Sequence, residues 1–123
     1  MPSQDQLQTV ANNLANAVQT YSSTLQANFL LLRNGQETKE DIDAANLQAN
    51  EQLLAMVPGR RGRFNDAFVV EASLALYSIA MLCTGEEQGT VHAMDHISDA
   101  FKTSMTRLSL LVAPTVAESV SRL

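Results

Sequence analysis

The sequence predicts an all-α protein, an up-down bundle of four main helices with a short or kinked C-terminal helix. Three observations carry that prediction. Apolar residues recur at alternating steps of three and four through four separate stretches. Short turns rich in Gly, Pro and Asn part those stretches, which places successive helices antiparallel. No run alternates with a period of two over the length of a strand. At 123 residues the chain reads as one domain, residues 1–123, long enough for one hydrophobic core. Hydrophobic residues make up 46% of it, yet aromatics are only 5% and Trp is absent, so that core must be mainly aliphatic.

The first helix opens on a capping box, Ser3 with Gln6 three residues on. Leu7, Ala11, Leu14, Val18, Tyr21, Leu25 and Leu32 then form a heptad-like seam over residues 4–32, which only Asn28 interrupts. No charged residue lies between Gln6 and Leu32. The outer face is instead neutral and polar, and Asn12, Asn16, Gln19, Ser23 and Gln26 are read as an interface, because interfaces exclude charge from their centres. A plain solvated surface is the competing reading. The Phe29, Leu30, Leu31, Leu32 run is apolar on all sides and is expected to be deeply covered.

Arg33, Asn34 and Gly35 stop that helix, and Thr38 caps a second one with Glu40 and Asp41 in its first turn. Its inner stripe reads Ile42, Ala45, Ala49, Leu53 and Met56, and Pro58-Gly59 ends it. The chain's only basic cluster follows, Arg60, Arg61 and Arg63 between glycines. It runs into the third stretch, residues 64–84, which Asn65 is expected to cap and Thr84-Gly85 to stop. From Ala67 to Cys83 the only charge is Glu71, and apolar residues fall all round the wheel. Such a helix is either a core helix or a membrane span. Glu71, Ser73 and Ser78 interrupt it and its neighbours are amphipathic, so a buried core helix is expected. Thr90 caps a fourth helix with the stripe Met94, Ile97, Phe101, Met105 (or Ser104), Leu108 and Leu111. Pro114 is expected to break or kink it before a last short segment, residues 115–122.

Few residues suggest chemistry. His92, Asp95, His96 and Asp99 share one helical face, and two imidazoles four apart can chelate a transition metal. The pattern lacks the His-Glu-x-x-His of zinc proteases and the paired Glu-x-x-His of di-iron bundles. A solvated face with no metal is therefore expected, and no cofactor. Glu71 is expected to form an ion pair with the arginine loop, and Cys83 to be a small core residue. Arg60, Arg61 and Arg63 precede a helix N-terminus, where free N–H groups attract anions, and the glycines admit a close ligand. Ala11 to Asn16, ANNLAN, resembles the short N-terminal motif of flagellar rod and hook proteins, but the glycine-rich, strand-forming remainder of such proteins is missing and no family is assigned.

No nucleophile elbow, dinucleotide fingerprint or phosphate loop occurs, and the chain reads as non-enzymatic. A net charge of −5 argues against nucleic acid as a general partner. The expected function is protein–protein interaction or assembly by a small acidic helical bundle that associates with itself, with another protein, or both. The alternative is an anion or nucleic-acid binding module using the 60–63 loop. A metal-dependent enzyme using the histidine stripe is a third reading. One cysteine and no visible leader suggest a cytoplasmic setting, with no membrane partner. In an up-down bundle the arginine loop and the Glu86, Glu87 turn lie at opposite ends. That favours a head-to-tail contact by charge, while a side-by-side dimer answers the burial of the central helix alone.

Overall fold

The computed structural model describes residues 3–57, 62–89 and 94–120, the last segment without the side chains of 94–96 and 120. Four helices pack around one core: α1 (Gln4–Arg33), α2 (Lys39–Ala55), α3 (Arg63–Gln88) and α4 (Met94–Val120). The protein is all-α, as the periodicity requires. Among the described residues α1 and α3 each touch all three other helices, α3 packs most extensively on α4, and α2 and α4 do not meet. The core is mainly aliphatic, with Tyr21, Phe68 and Phe101 its buried aromatics. Leu25 and Phe68 are wholly enclosed, each contributing about 1.5–3 kcal/mol by burial.

α1 begins as its own sequence dictates. The Gln6 amide donates to Ser3 Oγ at 3.1 Å, and the Ser3 amide donates to Gln6 Oε1 at 2.8 Å. It ends at Asn34, where Gly35 takes a φ of +73° and the Gln36 amide returns to the Leu31 carbonyl at 2.9 Å. Leu14, Val18, Tyr21 and Leu25 are buried on the expected seam. Its apolar end is less covered than expected: Leu30 is 50% exposed, because it falls on the outer line of the helix rather than on the seam.

α2 is capped by Thr38, whose hydroxyl accepts from the Asp41 amide at 3.2 Å. Its buried stripe is rotated from the expected one. Ile42 and Leu53 are buried as predicted, but Asn46, Asn50 and Val57 complete the inner line and Met56 is exposed. The polar side chains are drawn inward because α1 offers them partners: Asn28 Nδ2 donates to Asn46 Oδ1 at 2.9 Å, and Asn50 Nδ2 donates to the Tyr21 hydroxyl at 3.1 Å. Asn28, the break in the α1 seam, is one of those partners.

α3 departs from expectation at both ends. Its N-cap is Gly62, not Asn65, and it continues through Thr84 and Gly85 to Gly89, which has a φ of +72°. Gly85 is buried inside the helix while Gly89 is exposed, so the outer glycine takes the left-handed turn. α4 is also longer than expected. Among the described residues no separate C-terminal segment forms, and Pro114 lies inside one continuous helix. A proline there forfeits the bond to the Leu110 carbonyl, four residues back, at about 3 kcal/mol. Leu110 is exposed, so that carbonyl has access to water, and the turn beyond Pro114 is held by Thr115, Val116 and Ser119, all buried.

Candidate functional site

The arginine loop was the strongest sequence candidate for an anion site. Arg60 and Arg61 lie outside the described residues. Arg63 is exposed at the first turn of α3, with its guanidinium 5.6 Å from the centre of the neighbouring Phe64 ring. The start of α3 already holds an anion, and it comes from α4. The Phe64 amide donates to both carboxylate oxygens of Glu118, at 3.1 and 3.0 Å, and the Asn65 amide donates to Oε1 at 3.0 Å. Thr115 Oγ1 donates to the Phe64 carbonyl at 3.2 Å, and Ser119 Oγ donates to Asn65 Oδ1, also at 3.2 Å. A Cβ at Gly62 would meet the Glu118 carboxylate, which would have to shift at the start of α3 to make room. The N–H groups and helix dipole that favour an anion are thus served by an internal carboxylate.

Glu71 has a charged partner, but not the one expected. Its Oε1 lies 3.7 Å from Nη1 of Arg107 on α4, while Oε2 is buried without a hydrogen-bond partner. The Arg107 side chain is largely exposed, which weakens the pair. Sequence distance suggested the loop a few residues upstream; the packing of α3 on α4 brings the arginine from a position 36 residues downstream instead.

Deeper still, the Tyr21 hydroxyl donates to the Ala72 carbonyl at 2.7 Å while accepting from Asn50. Burial pushes its pKa up to about 12, against a smaller opposing effect of the Asn50 bond. This link joins α1, α2 and α3 and is structural. Burial also pushes the Cys83 thiol up to about 11, with the nearby Asp43 carboxylate adding to the rise, so the thiol is held in its unreactive form.

The remaining candidates are surfaces. Asn12, Asn16, Gln19, Ser23 and Gln26 are all exposed, on the side of α1 facing away from the core, with Leu30 continuing their line. Some are tied to their own helix: Gln8 Nε2 donates to Asn12 Oδ1, and Gln26 Nε2 to Ser22 Oγ, both at 2.9 Å. The larger surprise is α3. The central helix is not covered all round. Val70, Leu74, Tyr77 and Met81 are 54%, 44%, 65% and 40% exposed, following one another at steps of four, three and four. On the adjoining helix Leu110 is 73% exposed. A signal for this row was present in the sequence: three neighbouring helices cannot enclose a fourth whose apolar residues occupy its full circumference.

A groove of about 690 Å³ opens between α1 and α4 above Ile79 and Leu82, with Phe29, Phe101 and Met105 in its lining and Arg33, Glu86 and Lys102 among its polar walls. Of the histidine stripe, His92 lies outside the described residues, as do the side chains of Asp95 and His96; Asp99 is exposed. Among the described residues no three His, Cys, Asp or Glu side chains group together in a way that could hold a metal. By length and composition α3 is apolar enough to cross a membrane, with a mean hydropathy of 1.8 over 18 residues, although 39% of that window is buried against the other helices. Compared with protein-family models, curated proteins and solved structures, the chain finds no match in any of the three.

Proposed function

We propose that this chain is a non-enzymatic interaction protein that works by helix-to-helix contact, associating with itself, with another protein, or both. The observation that carries the reading is the row of large apolar residues left open on α3, Val70, Leu74, Tyr77 and Met81. Soluble monomers seldom expose a contiguous apolar patch without using it. An up-down order of the helices belongs to the same reading. Its support is that the start of α3 meets the end of α4 through Phe64 and Glu118, and that Arg33 at the end of α1 approaches Glu86 at the end of α3 at 3.9 Å. A reducing, cytoplasmic setting suits the single thiol of Cys83, which is free and buried.

Light scattering at several protein and salt concentrations tests the reading. A mass of two or more chains at tens of micromolar is the expected result, and a single-chain mass there in low salt removes self-association. The anion or nucleic-acid alternative through Arg60, Arg61 and Arg63 has a harder requirement, since Glu118 already occupies the first amides of α3. It predicts that added duplex DNA or RNA is retained by the wild-type chain and lost by an Arg60→Ala, Arg61→Ala, Arg63→Ala variant.

A further inference from the structure

We propose that the outer face of α3 pairs with the same face of a second copy of this chain, antiparallel, about a two-fold axis passing between Leu74 and Tyr77. The inference rests on the interaction reading above and names its surface and geometry. Steps of four, three and four are the spacing of a helix–helix seam, which presents one stripe to one partner helix. In the antiparallel register Val70 opposes the second copy's Met81, and Leu74 opposes its Tyr77. Every large residue of the row thus meets a large residue, and one surface serves both copies, as two-fold symmetry requires.

The ends of the row carry charges of both signs, and the helix dipoles rather than the side chains favour this direction. Arg63 stands seven residues before Val70 and Gln88 seven after Met81, so both continue the same line of the helix, with Glu87 beside Gln88; all three are exposed. Antiparallel pairing brings each Arg63 beside the second copy's Gln88, and turns both Arg63 and the exposed Asp66 towards its Glu87. Parallel pairing would set arginine on arginine and glutamate on glutamate. The macrodipoles of the two helices also oppose one another when antiparallel. Beyond Asp66 the face is flanked by Ala67, Ser73 and Ala80, small and uncharged, which lets the helices approach closely. Glu71, at the margin, is turned towards Arg107 of its own chain at 3.7 Å. A side-by-side dimer therefore answers the burial of the apolar row.

Size agrees. Val69, Leu110 and the four residues of the row expose roughly 600 Å² per copy at ordinary side-chain areas, at the top of the ~300–600 Å² of the largest patch on a typical monomer and approaching the ~800 Å² per partner of a stable interface. A membrane surface is the weaker occupant. Helices that lie in a bilayer interface flank their apolar face with Lys and Arg, whereas among the described residues only Arg63 and Arg107 lie near this face, in a chain of net charge −5.

Sedimentation equilibrium on the full chain, with parallel flotation on phosphatidylcholine–phosphatidylserine vesicles, tests the pairing. The wild type is expected to give a two-chain mass. A Leu74→Glu, Tyr77→Glu variant should raise the dissociation constant at least about 30-fold with helix content unchanged, since both side chains are exposed in the single copy. Spin labels on Gln88→Cys in a Cys83→Ser background should lie about 38 Å apart, against about 10 Å for a parallel pair. An oligomer indifferent to the Leu74, Tyr77 variant but broken by Asn16→Lys, Ser23→Lys overturns this inference and leaves the interaction reading standing. A short label separation overturns the geometry. A monomer that floats with vesicles assigns the row to a membrane, and a monomer that does not float overturns this pairing together with self-association.

Discussion

α1 and α3 each touch all three other helices, and they present opposite chemistry to solvent. The outer line of α1 is Asn12, Asn16, Gln19, Ser23 and Gln26; that of α3 is Val70, Leu74, Tyr77 and Met81. Their inner faces are alike, joined by the hydrogen bond from Tyr21 to the Ala72 carbonyl. The difference therefore does not arise from where the helices sit in the fold. A neutral polar face is content in water, and its lack of charge does not itself call for a partner. An apolar face of the same extent keeps a driving force for burial of about 25 cal/mol per Å².

The helices also begin differently. α1 caps itself through Ser3 and Gln6, whereas α3 borrows Glu118 from α4. Local capping fixes a helix end in any fold that contains the sequence. Borrowed capping makes the start of α3 depend on tertiary contact, which is why Asn65 looked like the cap and is instead inside the helix as a buried acceptor for Ser119.

Four measurements break or sharpen this comparison. The inner faces should be equivalent, so Leu25→Ala on α1 and Ile79→Ala on α3 should each cost about 2–5 kcal/mol in denaturant unfolding. A loss under ~0.5 kcal/mol at either site would show that its helix does not line the core. The bond between the two helices gives a pH test. Tyr21 is raised from 10.0 unfolded to about 12 folded, so the folded state favours the neutral phenol. Its contribution is fully present below pH 10 and is lost as pH rises from about 10 towards about 12, a fall of about 2–3 kcal/mol. In a Cys83→Ser background, which removes the thiol that titrates at about 11, Tyr21→Phe should flatten that window; an unchanged alkaline profile would refute the assignment.

A smaller effect is expected at the helix starts. Glu118→Ala should cost about 1–2 kcal/mol and speed amide exchange in the first turn of α3, while Ser3→Ala should cost about 1 kcal/mol or less and fray only α1. Equal exchange at Phe64 and Asn65 in both variants would mean the carboxylate is not the cap. Least of all, Tyr77→Gln on α3 and Gln19→Ala on α1 should each change the stability of the single chain by under ~0.5 kcal/mol. Only the first should weaken association. If the second does so instead, the comparison of the two faces is inverted.

Much of this protein was legible before folding. The 3.6-residue period, the capping box at Ser3, the Thr38 cap and the Gly35 turn are local signals, and each appears where the chain places it, because hydrogen bonds over three or four residues need no distant partner. The seam of α1 was legible for the same reason. Which arginine meets Glu71, which carboxylate caps α3, and whether Gly85 or Gly89 ends it were decided elsewhere. Each depends on α4, or on burial that packing confers, and a charge or a glycine carries no mark of the neighbour it will acquire. Asn46 and Asn50 read as surface residues because polarity usually excludes them from a core; they are inside because Asn28 and Tyr21 satisfy part of their hydrogen bonding there. The sequence alone determined that α3 is apolar on every side. Only the packing of three helices around it decided which side stays open, since three neighbours leave one face of a central helix uncovered, and here that face is Val70, Leu74, Tyr77 and Met81.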